Sequence, residues 1–161
     1  MKLVSSFAMV AAMVIAGPAV AQATSPSDFV KKAGASDLYE RTSSNLVLQT
    51  SKNAKVREFA QMMVKDHTKS TNDVKMAAKQ AGLTPPPPAL EPEQSRMVAE
   101  LRQASGAVRD QLYVTQQKTA HQKTLALHSG YAQSGSAAPL KTVAAKTAPV
   151  VKHHLDMLNA M

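Results

Sequence analysis

Four consecutive prolines, Pro85 to Pro88 in "GLTPPPPAL", divide this chain into two halves. A proline run fixes φ and removes backbone donors, so neither a helix nor a tight turn can pass through it; it forms an extended, semi-rigid strut. Each half reads as a helical hairpin. Upstream, Phe29, Ala33, Ser36, Glu40, Ser43 and Val47 recur at three-four spacing and predict a helix over about 28–50, with Ser27 as its N-cap. Val56, Ala60, Met63, His67, Ser70, Val74 and Ala77 predict a second over about 54–81, stopped at Gly82.

Downstream, residues 92–132 are too long for one straight partner of these helices. At about 1.5 Å per residue, 92–121 would span about 44 Å, whereas 67–81 spans about 21 Å. "ASGAVRD" supplies the break at Ser105-Gly106, giving a short helix near 92–104 and a main one over about 107–132. A last helix is predicted over about 139–161, opening on Pro139 and kinked by Pro149, with Leu140, Val143, Thr147, Val151, His154 and Leu158 on one face. The predicted fold is all-α: a four-helix bundle with a short extra helix in the crossover between the second and third main helices.

The first 23 residues read as an address. Lys2, the apolar "LVSSFAMVAAMVIAG" and the small-residue "AVAQA" predict a secretory signal cut after Ala21 or Ala23. The expected product is one exported domain over 24–161, periplasmic if the cell is Gram-negative, with no membrane-spanning segment. The net charge of +8, one unit of it from Lys2, is dispersed; only Lys31 and Lys32 are adjacent. Such a surface serves solubility and at most a weak association with anionic surfaces. Aromatic residues make up 4% of the chain and Trp is absent, which leaves too few ring faces for nucleic-acid stacking. The absence of Cys excludes disulfides, thiolate metal sites, Cys nucleophiles and haem attachment.

One titratable residue interrupts each apolar stripe: Glu40, His67, His121 and His154. Around His121 the stripe is Val114, Gln117, His121, Leu125 and His128. Counted from hairpin centres near 52 and 136, the four lie about 12, 15, 15 and 18 residues away, within roughly two helical turns along the bundle axis. One core layer can therefore hold a carboxylate and three imidazoles. A buried polar group without a partner costs several kcal/mol, so these four need each other or a cation. Neutral imidazoles and a carboxylate are ligands for a single Zn, Cu, Fe or Ni ion. Asp66 and Gln117 are placed to orient the ligands from behind. A metal-free, hydrogen-bonded layer is the competing reading.

"FVKKAGASDLYERTSSNLVLQTSKNAKVREFAQMMVKDHTKS", "LRQASGAVRDQLYVTQQKTAHQKTLAL" and "LKTVAAKTAPVVKHHLDM" resemble the domain of unknown function 4142 proteins across the mature chain. The resemblance implies a ferritin-like helical bundle, export and the label of outer-membrane protein. Its recurring features map to Glu40, Asp66-His67, Asp110, Tyr113, His121, Pro149 and His154, with Thr71 where the family often has Asn. Ferritin-like ancestry would invite a di-iron centre, which needs Glu-x-x-His on two helices. Here Val64 and Val151 stand three residues before His67 and His154, so a mononuclear site is expected.

Asp110 and Tyr113 are read as structural hydrogen-bonding groups near the helix break. His128 and His153 are read as partly exposed, with His128 as an outlying ligand candidate. Met63 and Met157 could favour a soft metal but at helical spacing are read as packing. No Ser elbow, phosphate loop or Cys nucleophile accompanies the layer. Three functions follow: a metal-binding bundle, a non-enzymatic stress or scaffold bundle with a metal-free polar layer, and a metal-dependent oxidase, for which the residues make no demand.

Overall fold

A computed structural model describes residues 24–161; the expected leader and its cleavage site lie outside the described residues. Five helices follow in order, α1 (Pro26–Thr50), α2 (Ala54–Gln80), α3 (Pro92–Gln103), α4 (Gly106–Ser134) and α5 (Ala138–Asn159), with no strand among the described residues. None of these helices is long and apolar enough to cross a membrane. Hairpin partners α1 with α2 and α4 with α5 pack side by side, and α1 with α4 and α2 with α5 close the ring. The short α3 leans on α1 and α4. This is the predicted four-helix bundle with one extra helix in the crossover.

Local chemistry sets the boundaries. The N-cap of α1 is Ser25, not the expected Ser27: Ser25 Oγ accepts the Asp28 N–H at 3.1 Å, and Pro26 occupies the first turn. Proline suits that position because its missing N–H would be unsatisfied there in any residue. At the other hairpin end, Asn53 Oδ1 caps α2 by accepting from Lys55 and Val56. α2 closes with Gly82 at φ +74° while the Leu83 N–H reaches Ala78 O at 2.9 Å and the Gly82 N–H reaches Lys79 O at 3.0 Å. That paired closure needs a left-handed residue, which explains the glycine. The proline strut then runs against α1, with Pro88 over Gly34.

The predicted break at Ser105-Gly106 is real. Arg109 bridges it, donating from Nε to Ala104 O at 2.7 Å and from Nη1 to Thr50 Oγ1 at 2.8 Å. Pro149 lies inside α5 on an exposed face, so the Ala145 carbonyl that loses its donor faces water.

The core is two apolar plugs separated by a polar layer. Phe29, Ala33, Val74, Tyr131, Leu140 and their neighbours fill one end. Val47, Phe59, Met63, Leu101, Tyr113 and Leu158 fill the other. Between them sit buried Asp37, Glu40, Ser43, His67, Gln117, His121 and His154. α4 differs from expectation: its buried stripe uses Tyr113, Thr124 and Tyr131, while Val114 and Leu125 are only half-buried. The helix is rotated so that its polar residues face inward, because the layer at its centre is polar.

Gly130 inside α4 and Gly135 at its C-cap give a contrast that tests this packing. A Cβ at Gly135 would sit 2.5 Å from the Tyr131 ring, whereas one at Gly130 meets nothing within 4 Å. Gly135→Ala is expected to cost about 1–3 kcal/mol by overpacking. Gly130→Ala should gain about 0.5–1 kcal/mol from helix propensity. Urea denaturation measures both; equal effects would show that Tyr131 is not confined by the turn.

Candidate metal centre

The three histidines converge. His67, His121 and His154 are 3%, 0% and 1% exposed, and one ring nitrogen of each lies within 4.8 Å of the others. Their ring centroids form a near-equilateral triangle with sides of 5.7, 5.8 and 5.5 Å. Phe59, from the apolar plug, sets its ring 6.1 Å from His121 and 6.4 Å from His154. Glu40 is fully buried but stands beside the triangle: its Oε1 is 3.6 Å from His121 Nδ1. Of the four predicted ligands, the fold thus gathers three in one cluster and places the fourth at its edge.

Each imidazole is held from behind. His67 Nδ1 donates to Asp37 Oδ1 at 2.9 Å, His121 Nδ1 to the Gln117 carbonyl at 2.9 Å, and His154 Nε2 to Asp66 Oδ2 at 3.0 Å. All three partners are acceptors, so those nitrogens carry the hydrogens and the opposite ones are left with lone pairs in the neutral ring. Those opposite atoms, His67 Nε2, His121 Nε2 and His154 Nδ1, are buried and have no hydrogen-bond partner. Both Glu40 oxygens are likewise buried and unpartnered.

Asp66 sits where an orienting group was expected, but Gln117 acts differently. Its backbone carbonyl holds His121, while its side chain donates to Ser43 Oγ at 3.1 Å. Asp37 was missed. It is 2% exposed and holds His67, and its other oxygen accepts from Thr71 Oγ1 at 3.1 Å. The sequence carried a signal for it, since Asp37 lies three residues before Glu40 on the same helical face. Thr71, where the resemblance led one to look for Asn, also donates to His67 O at 2.8 Å and so retains a polar contact.

Burial separates the charge states. Burial pushes Glu40 up to about 7, against the opposing pull of charge on His67. Burial brings His121 down to about 3, aided by charge on His67 and His154. Burial and then His67 bring His154 down to about 4, although Asp66 opposes them. His67 is the exception: burial lowers it, but the Asp37 hydrogen bond and the charges of Glu40, Asp37 and Asp66 together hold it above the ordinary imidazole value. Two of the three rings are therefore neutral near pH 7, and His67 holds its proton more tightly than an ordinary imidazole.

Other expectations need revision. His128 is not partly exposed; it is 1% exposed, with its Nδ1 unpartnered and its ring edge-on to Phe29 at 5.3 Å. It lies outside the cluster, because seven residues along α4 displace it by about 10 Å from His121. His153 is exposed. Met63 is fully buried among Val47 and Phe59, and half-buried Met157 packs on the same plug, so both are packing residues. Asp110 accepts from Ser51 Oγ at 2.8 Å, and the Tyr113 hydroxyl pairs with Ser44 Oγ at 2.8 Å, as structural roles require.

Comparison with known proteins agrees with this reading of the fold. The sequence profile described as domain of unknown function (DUF4142) matches residues 12–161. No curated protein matches the chain significantly. Among solved structures, a "DUF305 fragment from Deinococcus radiodurans" superposes with a TM-score of 0.72 at 16% identity, covering 84% of this chain and 93% of that one. At that identity the likeness concerns the fold alone.

The buried histidines make the metal-free protein acid-sensitive. His121, His128 and His154 are held below their unfolded value of about 6.5, so the stability they contribute is present above 6.5 and lost as pH falls toward their folded values of about 3, 4 and 4. Glu40, held up to about 7, works oppositely: its contribution is full below 4.5 and lost as pH rises through 7. His67, held above its ordinary value, works in the same sense as Glu40, its contribution being full below 6.5 and lost only at higher pH. Between pH 6.5 and 4.5 three histidines therefore oppose one carboxyl. Unfolding free energy should fall with acidification by on the order of 1.4 kcal/mol per pH unit for each uncompensated proton. Urea titrations at pH 7 and 5 measure it; equal or greater stability at pH 5 would contradict the assignment.

Proposed function

We propose that this chain, which belongs to the DUF4142 family, is an exported bundle that binds one transition-metal ion through His67, His121 and His154. The observation that carries the reading is the set of three inward imidazole nitrogens, buried and unpartnered, each on a ring whose other nitrogen is tied to an acceptor. An orphaned buried polar atom costs about 1–3 kcal/mol, and here three of them face one point. Rings radiating from one metal with bonds of about 2.0–2.1 Å would have centroids roughly 5–5.5 Å apart. The sides of 5.5–5.8 Å stand near that separation, and the ring nitrogens, within 4.8 Å of one another, would close to about 3.3 Å around one ion.

Glu40 supplies a fourth donor and balances charge in a dry core. Asp37 and Asp66 are engaged behind histidines, so one carboxylate remains, which suits one ion rather than a bridged pair. Imidazole with carboxylate favours Zn, Cu, Ni or Fe over Mg or Ca. Four well-formed clefts among the described residues are lined by none of the three histidines, and an enclosed site favours binding or storage over turnover. Export rests on the basic-apolar-small order of residues 1–23 and would yield a chain beginning at Gln22 or Thr24.

Elemental analysis of protein purified without added metal should find about one ion per chain. A ligand present at a hundredfold excess over its Kd stabilises by about 2.7 kcal/mol. Chelation should therefore lower Tm by roughly 10 °C. His121→Ala should lose the ion and the chelator response together. A metal-free preparation whose Tm ignores chelator would leave the hydrogen-bonded polar layer as the correct description.

A further inference from the structure

A closed centre needs a way in, and the surface offers three. Asp66, 30% exposed, leads to the outer edge of His154, but the imidazole itself then blocks passage. The cleft under the proline strut, about 350 Å³, is lined by Thr71, behind which Thr71, Asp37 and His67 are linked by successive hydrogen bonds to a carboxylate. The third is a cleft of about 340 Å³ between α1, α3 and α4, with Ser36 and Thr124 among its lining residues. On its inner side two small neutral side chains of that lining meet, Ser36 Oγ and Thr124 Oγ1 at 2.6 Å.

What lies behind that contact distinguishes the third route. Ser36 is four residues before Glu40 on α1, and Thr124 three after His121 on α4, so each stacks one turn from a member of the layer. Glu40 is fully buried with both oxygens free of hydrogen bonds, and its one close polar neighbour is the His121 Nδ1 at 3.6 Å. Glu91 and Glu93 stand on the lining of the same cleft together with Lys32 and Lys123, so its mouth carries both signs of charge. Glu93 is bridged to Lys123 across it at 2.6 Å.

We propose that divalent transition-metal ions reach the histidines through this α1–α3–α4 cleft, passing the Ser36–Thr124 pair to Glu40, which hands them to the three rings. The inference rests on the proposed metal site and assigns Glu40 its place at the edge of the triangle: the carboxylate meets the ion first and then remains as the fourth donor. Ser36 and Thr124 are gating residues and touch no metal.

Cobalt(II) is the probe, because its visible absorption in a low-coordinate nitrogen site reports loading directly. In stopped-flow mixing, Ser36→Val with Thr124→Val, which fills the passage with methyl groups, should slow both cobalt uptake and chelator-driven release by roughly tenfold, with Kd changed by no more than about twofold. Ser36→Ala with Thr124→Ala should speed both, and Asn72→Leu, on the exposed wall of the cleft under the proline strut, should leave both unchanged. If the double valine variant fails to fold, Ala120→Leu, which fills the cleft from its half-buried wall, takes its place. Normal cobalt loading at unaltered rates in the filled variants, or slowing by Asn72→Leu instead, would overturn the route while leaving the site standing. No cobalt spectrum in the unmodified protein would remove the site and the route together.

Discussion

The structure depends on how a bundle tolerates three imidazoles and a carboxylate at its centre. Water cannot solvate them there, and an isolated buried charge would cost more than a domain of this size can spare. The answer is a sandwich. Large apolar side chains are concentrated at the two ends, Phe29, Tyr131 and Leu140 at one and Phe59, Met63 and Leu158 at the other. Each such side chain contributes about 1.5–3 kcal/mol on burial, so the ends hold the helices together while the middle is free to be polar.

The middle is organised by direction. Every histidine spends one nitrogen on an acceptor from its own or a neighbouring helix, which fixes tautomer and ring orientation at once. The remaining lone pairs then have nowhere to point but inward. Small residues make room for this: Ser36, Ser43, Ser44 and Ser70 are buried around the layer where a bundle core would ordinarily carry leucine. Small hydroxyls also keep the helix backbones close enough for hydrogen bonds such as Ser36 to Thr124 and Ser44 to Tyr113.

Family membership and the DUF305 likeness concern sequence and fold, and neither carries chemistry at these identities. The side chains carry the chemical detail: buried donor atoms without partners at the layer, and a Ser36–Thr124 hydroxyl contact on the lining of one surface groove.

Much of this was legible in order along the chain. The proline run, Gly82 and the Ser105-Gly106 break punctuate the helices through backbone constraints that need no tertiary context. The three-four spacing put Glu40, His67, His121 and His154 on inward faces because burial in a bundle follows helical periodicity. What only tertiary structure decided is which atoms meet. Asp37 became the partner of His67 through the α1–α2 packing, His128 was buried by the rotation of α4, and Glu40 was displaced to the edge of the triangle. Periodicity determines a face and a height to within a turn, whereas hydrogen bonds and metal ligation are settled over an ångström, and that last step belongs to the packing of four helices at once.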